Sequence, residues 1–197
     1  MGDKIRDAEV RRAAHGKLLR NAHICPDTLV IDELGLGHGV CRVDIAVING
    51  HIRGLEIKAE ADILDRLPHQ VKAYGEVVDR ATLIVAPRHL STALEIVPKW
   101  WGVIAVDRVL SGGIVFRKIR EERANRHVNP MMLARLLWHP EAATILREHG
   151  QPEHSLRQPR EALYRELVAL LSRRDLAHGV RDALRNRATW RDRPEPL

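Results

Sequence analysis

The chain has few of the residues that mark disulfide-rich, zinc-binding or membrane proteins. Two cysteines, Cys25 and Cys41, are too few for a disulfide framework or a cysteine zinc site. The eleven histidines are scattered without a Cys/His ligand spacing. No run approaches the roughly 20 apolar residues that a membrane-spanning helix needs, and no apolar signal-peptide core follows Met1. We therefore expect a cytoplasmic protein with no membrane partner.

What remains is the composition of a globular protein. Apolar residues make up 45% of the 197 residues and charged residues 29%, which is typical of globular domains. A chain of this length can bury a sizeable core. Its patterning predicts an α/β core over residues 1–119 and an arginine-rich helical subdomain over residues 120–197.

The net charge of +6 is concentrated in the second part. Residues 1–116 contain 15 Lys and Arg against 15 Asp and Glu, whereas residues 117–197 contain 17 against 11. Sixteen of those 17 bases are arginine, which suits bidentate phosphate contacts. Two interpretations stay open, a solvated salt-bridged helical surface and a nucleic-acid-holding surface. No recognition motif decides whether the tail holds DNA, an accessory protein or a second copy of the chain as a homodimer.

The most informative stretch is a predicted hairpin in the first part. Two strand-like runs flank Asn49-Gly50, a pair typical of type I′ turns because both of its positions need positive φ. Alternation along the two strands then puts Asp44, Glu56 and Lys58 on one face. Such charges are costly to bury unless they are paired or bind a metal. Mg²⁺ is a hard cation that prefers carboxylate oxygens.

Further polar residues accompany the hairpin. Gln70 and Tyr74 are four apart on a predicted helix, so they lie on one face; Asp62 is its predicted N-cap, and Pro68 is expected to kink it or open its main part. From spacing alone, this pair either contacts a substrate or is a solvated amide and a buried aromatic. Glu33 is either an additional metal-holding carboxylate or an ordinary acid at the end of the first strand.

Together these residues resemble the PD-(D/E)XK nuclease superfamily, which has the restriction-endonuclease-like fold. The resemblance rests on Asp44 and the Glu56-x-Lys58 triplet, with the Gln70-x-x-x-Tyr74 element similar to the RecB and lambda-exonuclease branch.

Two further sequence segments are more similar to a family of small bacterial and phage proteins with that core. They are Arg42-Val43-Asp44 and the segment from Pro98 to Gly102. Val43 departs from the proline that often precedes the first aspartate in the superfamily.

The resemblance implies a restriction-endonuclease-like mixed β-sheet core flanked by helices, followed by the helical subdomain. It implies metal-dependent hydrolysis of phosphodiester bonds, with DNA as the expected substrate and RNA left open. Mg²⁺ or Mn²⁺ would be held by Asp44, Glu56, the backbone carbonyl of Ile57 and, as an additional ligand, Glu33. Lys58 would position the attacking water or stabilise the transition state. Gln70 and Tyr74 would contact phosphate or brace the metal ligands.

Two competing hypotheses come from other classes of protein. One is a non-catalytic protein that keeps the nuclease fold and binds nucleic acid or a partner. The other is a structural adaptor whose carboxylates form surface ion pairs with the arginines of the tail.

The rest of the chain is predicted to form the helices and strands that surround the hairpin. The first helix is expected to keep its bases, Arg11 among them, on the outer face. A continuous apolar strand at 81–86 suits a parallel position in the sheet centre. Trp100 and Trp101 either cap a core or stack on unpaired bases. The other predicted elements are strands at 28–33, 103–106 and 114–119, and helices at 4–22, 91–96, 130–149, 160–171 and 175–188.

Overall fold

A computed structural model describes residues 4–109 and 112–187. Six strands form a single sheet in chain order: β1 Leu29–Leu36, β2 Cys41–Ile48, β3 Ile52–Lys58, β4 Arg80–Val85, β5 Gly102–Arg108 and β6 Ile114–Arg120. The described helices are α1 Asp7–Ala13, α2 Arg20–Ile24, α3 Leu67–Val77, α4 Leu90–Ile96, α5 Pro130–Ala134, α6 His139–Glu148, α7 Arg160–Leu170 and α8 Arg173–Asn186.

The sheet is mixed. β2 pairs antiparallel with both β1 and β3, β3, β4 and β5 run parallel to one another, and β6 returns antiparallel at the edge. β4 is buried along nearly its whole length, because it lies between two parallel neighbours with helices on both sides. The predicted α/β fold, a mixed sheet flanked by helices and followed by helices, is confirmed.

Each face of the sheet has its own hydrophobic core. The N-terminal helices cover one face, where Ile5 and Val10 pack in a cluster with Ile57. Helix α3 and the C-terminal helices cover the other, where Leu163 and Val180 belong to the same cluster as residues of the sheet. The sheet and the helices after it therefore share one core, and the proposed division at residue 119 stays a prediction. Residues 188–197 of its second part lie outside the described residues.

The β2–β3 hairpin is present, but its predicted turn type is wrong. Three residues rather than two connect the strands, because Ile48 pairs with Ile52. The amide of Asn49 donates to the carbonyl of His51 over 3.1 Å, and the Asn49 side-chain oxygen accepts from the His51 amide over 3.3 Å. This side chain closes the loop, so Gly50 does not need the positive φ of a type I′ turn.

Helix boundaries differ from prediction in three places. The first predicted helix is interrupted by a π-helical turn at Ala14–Leu18, and the helix predicted at 130–149 is two helices, α5 and α6. Asp62 does not cap α3; its carboxylate accepts the amide of Ala59 over 2.7 Å, so it closes a local turn instead. Pro68 lies in the first turn of α3, as predicted, where its missing N–H costs nothing.

Trp101 is fully buried, with its ring centroid 5.1 Å from that of Tyr74. It packs in the core and is therefore not available to stack on bases. Tyr74 in turn holds α3 close to the sheet above Gly54 of β3.

Replacing Gly54 with Ala is expected to lower the free energy of unfolding by about 1–3 kcal/mol. A Cβ there would lie 2.8 Å from Cε1 of Tyr74 and 3.2 Å from Cγ1 of Val43, so α3 would have to move away from the sheet. Gly50→Ala is the control, because its Cβ would meet nothing within 4 Å. Chemical denaturation of both variants measures the difference, and equal losses would contradict this packing.

Candidate functional site

The candidate site lies where β2 and β3 separate. β2 pairs with β1 over its whole length but with β3 only between Ile45 and Ile48. Beyond that point, the Asp44 carboxylate accepts the amide of Ile57 over 2.7 Å and takes the place of a paired strand. The strand divergence thus opens a cleft and aims a carboxylate into the gap.

Glu56 is completely buried beside Asp44, and both of its carboxylate oxygens are bonded. Lys58 Nζ donates to Oε1 over 2.5 Å, and the hydroxyl of Tyr74 donates to Oε2 over 2.7 Å. Alternation along β3 explains why Glu56 and Lys58 share a face. The predicted grouping of Asp44, Glu56 and Lys58 is present in the structure, and α3 brings Tyr74 to it.

Gln70 lies one helical turn before Tyr74 and is buried. Its side-chain oxygen has no hydrogen-bond partner among the described residues, which is unusual for a buried acceptor. Gln70 lines the same cleft as Asp44, Glu56 and Ile57, a cavity of about 310 Å³. The cleft therefore has an acceptor oxygen that a ligand can satisfy.

Glu33 lies inside β1 rather than at its end, and its φ of 58° is rare for a residue with a side chain. Its carboxylate lines the cleft and is bonded to Arg11 Nη2 at 3.1 Å and to Arg42 Nε at 3.7 Å. Across 4–109 and 112–187, no three His, Cys, Asp or Glu side chains group closely enough to hold a metal ion. Glu33 is thus not brought to the carboxylates as a third side-chain ligand, and its role through water stays a prediction.

Arg11 is the site residue that the sequence did not reveal. Its guanidinium donates to the carbonyl of Asp44 over 2.5 Å and lies 3.5 Å from the carboxylate of that residue. It also pairs with Asp7, Asp32 and Glu33. The prediction that Arg11 lies on the outer face is wrong, because its partners come from α1, β1 and β2 and meet only in the fold. Nothing in the helix distinguishes Arg11 from its neighbour Arg12.

Burial dominates the electrostatics of the two carboxylates. It raises the pKa of Asp44 to about 7, with the Glu56 charge adding to the rise and the Ile57 amide, Arg11 and Lys58 opposing it. Burial also raises the pKa of Glu56, against the lowering effects of Lys58 and Tyr74. Two adjacent carboxylates that are largely shielded from water resist being charged together, so a divalent cation bound to them would stabilise their charged forms.

The donor set of the cleft suits a hard cation. Asp44 and Glu56 offer carboxylate oxygens, and the free Gln70 oxygen is nearby. Oxygen ligands favour Mg²⁺ or Mn²⁺ over softer metals, so the residues present fit the expected metal.

Within the described part of the tail, no arginine pairs with Asp44 or Glu56, so these residues give the adaptor hypothesis no support. The tail arginines that form ion pairs use acids of the tail itself, as Arg135–Glu161, Arg147–Glu153, Arg185–Asp182 and Arg187–Glu141. This part of the helical surface is salt-bridged.

Comparison with known proteins assigns a family. The sequence profile described as bacteriophage P4 protein cII matches residues 2–192. The chain belongs to the phage P4 cII family. A curated relative, protein cII of Enterobacteria phage P4, is 26% identical over 150 residues, covering 76% of this chain and 56% of the relative. The chain spans about half the length of that relative.

The family match confirms the phage part of the expected resemblance and names no activity. No solved structure matches the chain. No helix within the described residues is both long and apolar enough to cross a membrane.

Replacing Asp44 with Asn is expected to stabilise the metal-free protein more at about pH 8 than at about pH 5. A raised pKa means that the stability due to Asp44 is complete below its usual pKa of 3.8 and is lost as the pH rises through about 7. Asn keeps an oxygen for the Ile57 amide and cannot ionise. The gain in unfolding free energy should grow by about 3 kcal/mol between the two pH values, since about two pH units separate pH 5 from the raised pKa and each corresponds to about 1.4 kcal/mol.

Denaturant unfolding at both pH values measures this gain. Asp65→Asn is the control, because Asp65 is exposed on the loop before α3. The control should change stability equally at the two pH values. An equal effect of Asp44→Asn would contradict the raised pKa.

Proposed function

We propose that this chain is a metal-dependent nuclease that hydrolyses phosphodiester bonds, with DNA as its substrate. One observation supports this most directly: the fully buried carboxylate of Glu56 and the partly buried carboxylate of Asp44 lie with Lys58 in a cleft formed by diverging strands. The arrangement is costly for folding, because removing one charge from water is costly and placing two together costs more, and Arg11 and Lys58 offset only part of that cost. A bound divalent cation removes this penalty.

Each residue then has a distinct role. Asp44, Glu56 and the backbone carbonyl of Ile57 would hold the ion, which when bound lowers the pKa of water and offsets negative charge on phosphate. Tyr74 fixes the orientation of Glu56 through its hydroxyl. Gln70 offers its free oxygen to a ligand in the cleft.

After the two carboxylates, Lys58 is the side chain with the most direct role in the proposed reaction. Its ammonium is paired with Glu56 in the lining of the cleft, with only a tenth of its side chain exposed. From there it can orient an attacking water or stabilise charge on the phosphate oxygens. Arg42 and Arg66, which are exposed and line the same cleft, add positive charge where a backbone phosphate would enter.

A non-catalytic nucleic-acid-binding protein is the second candidate. The observation in its favour is that Arg11 and Lys58 already neutralise part of the carboxylate charge without any metal. Such a protein would bind nucleic acid through Arg42 and Arg66, the exposed basic residues of the cleft, and leave the strands uncut.

Replacing Lys58 with Ala is expected to reduce cleavage by about 100-fold or more, since positioned polar groups contribute on that scale. The measurement is cleavage of labelled linear duplex, supercoiled plasmid, single strand, flap, four-way junction and RNA with Mg²⁺ or Mn²⁺, and with EDTA. Lys118→Ala is the matched control, because Lys118 is an exposed lysine of β6 paired with Glu121. Wild-type inactivity on every substrate, with salt-sensitive binding, would favour the non-catalytic alternative.

Mn²⁺ binding gives a test that does not depend on turnover. Wild type is expected to bind Mn²⁺ in isothermal titration, and Asp44→Asn to lose that binding, because one of two carboxylate ligands is removed. Glu121→Gln, on the exposed surface, should bind as wild type does. Absence of binding by wild type would refute the metal site.

A further inference from the structure

A second cavity lies next to the acidic cleft. It has a volume of about 340 Å³ and is formed by the turn between β1 and β2, by α3 and by α5. Much of its wall is aliphatic, with Leu36, Val40, Ala73 and Met132. Cavities from about 300 Å³ upward bury small ligands, and this one has room for one planar ring system with its sugar.

The cavity and the cleft are adjacent. Val40 and Cys41 line both of them. Helix α3 forms a shared wall, because Gln70 faces the cleft and Ala73, one turn further on, faces the cavity. Val40 lies on the ridge between the two with 75% of its surface exposed. A ligand that occupies both spaces must therefore cross an apolar ridge.

The charges around the cavity favour an anionic ligand at its rim. Lys72 is exposed on α3 and has no ion-pair partner among the described residues. Arg135 lies on the α5 side, bonded to Glu161, with Glu76 as the acid of the lining. An apolar wall with a cationic rim is complementary to a nucleobase joined to a phosphate.

We propose that this cavity accepts one unpaired nucleobase of the strand whose phosphate lies in the acidic cleft. The proposal rests on the proposed function and specifies its substrate class as single-stranded or frayed nucleic acid. A base in a duplex is stacked and paired, so it cannot enter the cavity unless it leaves the helix. The arrangement therefore selects against intact duplex without reading sequence.

The test is metal-free binding, measured by fluorescence anisotropy in EDTA. The probes are a short labelled thymidine oligonucleotide and a backbone of the same length with abasic sugars throughout. Wild type should bind the base-containing strand at least about fivefold more tightly, because each accommodated base contributes on the order of 1 kcal/mol or more. Equal affinity for the two probes would overturn the proposal.

Two substitutions test whether the cavity is responsible for the preference for the base-containing strand. Ala73→Leu fills the cavity and should bring the affinity for the thymidine strand down to that of the abasic strand, while Ala73→Ser should behave as wild type. Val40→Ser removes the apolar ridge at an exposed position, so it tests the same point even where Ala73→Leu does not fold. Val40→Ser should weaken binding of the thymidine strand and leave binding of the abasic strand unchanged. Preference for the thymidine strand that persists in both variants would place the base elsewhere and overturn the proposal.

This readout is independent of turnover. Base-dependent binding without cleavage would support the cavity and refute the nuclease activity. Metal-dependent cleavage by a protein that binds both probes equally would support the nuclease activity and refute the base-binding cavity.

Discussion

The structure depends on the point at which β2 and β3 stop pairing. A strand that leaves its partner exposes backbone donors, and buried donors must be satisfied. Here the Asp44 carboxylate satisfies the Ile57 amide, and this single contact both ends the hairpin ladder and holds a charge inside the protein. The position of Glu56, the cleft and the shifted pKa of Asp44 follow from that divergence.

The two faces of the sheet contribute different things to this point. Helix α1 on one face supplies Arg11, which binds the Asp44 carbonyl and pairs with several carboxylates. Helix α3 on the other face supplies Tyr74, which fixes Glu56, and Gln70, whose oxygen is left free. Positive charge therefore comes from one layer and neutral hydrogen-bonding groups from the other. Both layers must pack correctly for the carboxylates to remain adjacent.

The C-terminal helices are part of this architecture because they share the hydrophobic core of the α3 face. Several of their arginines are engaged in ion pairs within the tail, which limits their availability for phosphate. The basic residues best placed for a nucleic-acid backbone are instead those that line the cleft and the neighbouring cavity, Arg42, Arg66 and Lys72. Membership of the phage P4 cII family applies to nearly the whole chain, so the helices belong to the same evolutionary unit as the sheet.

The sequence by itself determined the strands, the hairpin of β2 and β3, the parallel crossover to β4 and the grouping of Asp44, Glu56 and Lys58. These follow from local periodicity and from alternation along a strand, which are properties of neighbouring residues. Only the tertiary structure decided the place of Arg11, the free oxygen of Gln70 and the cavity beside the cleft. Each of these depends on contacts between segments far apart in the chain, which no local pattern encodes. The turn at Asn49 differs from prediction for a local reason, because a hydrogen bond from the His51 amide to the Asn49 side chain outweighed the preference of the dipeptide for a type I′ turn.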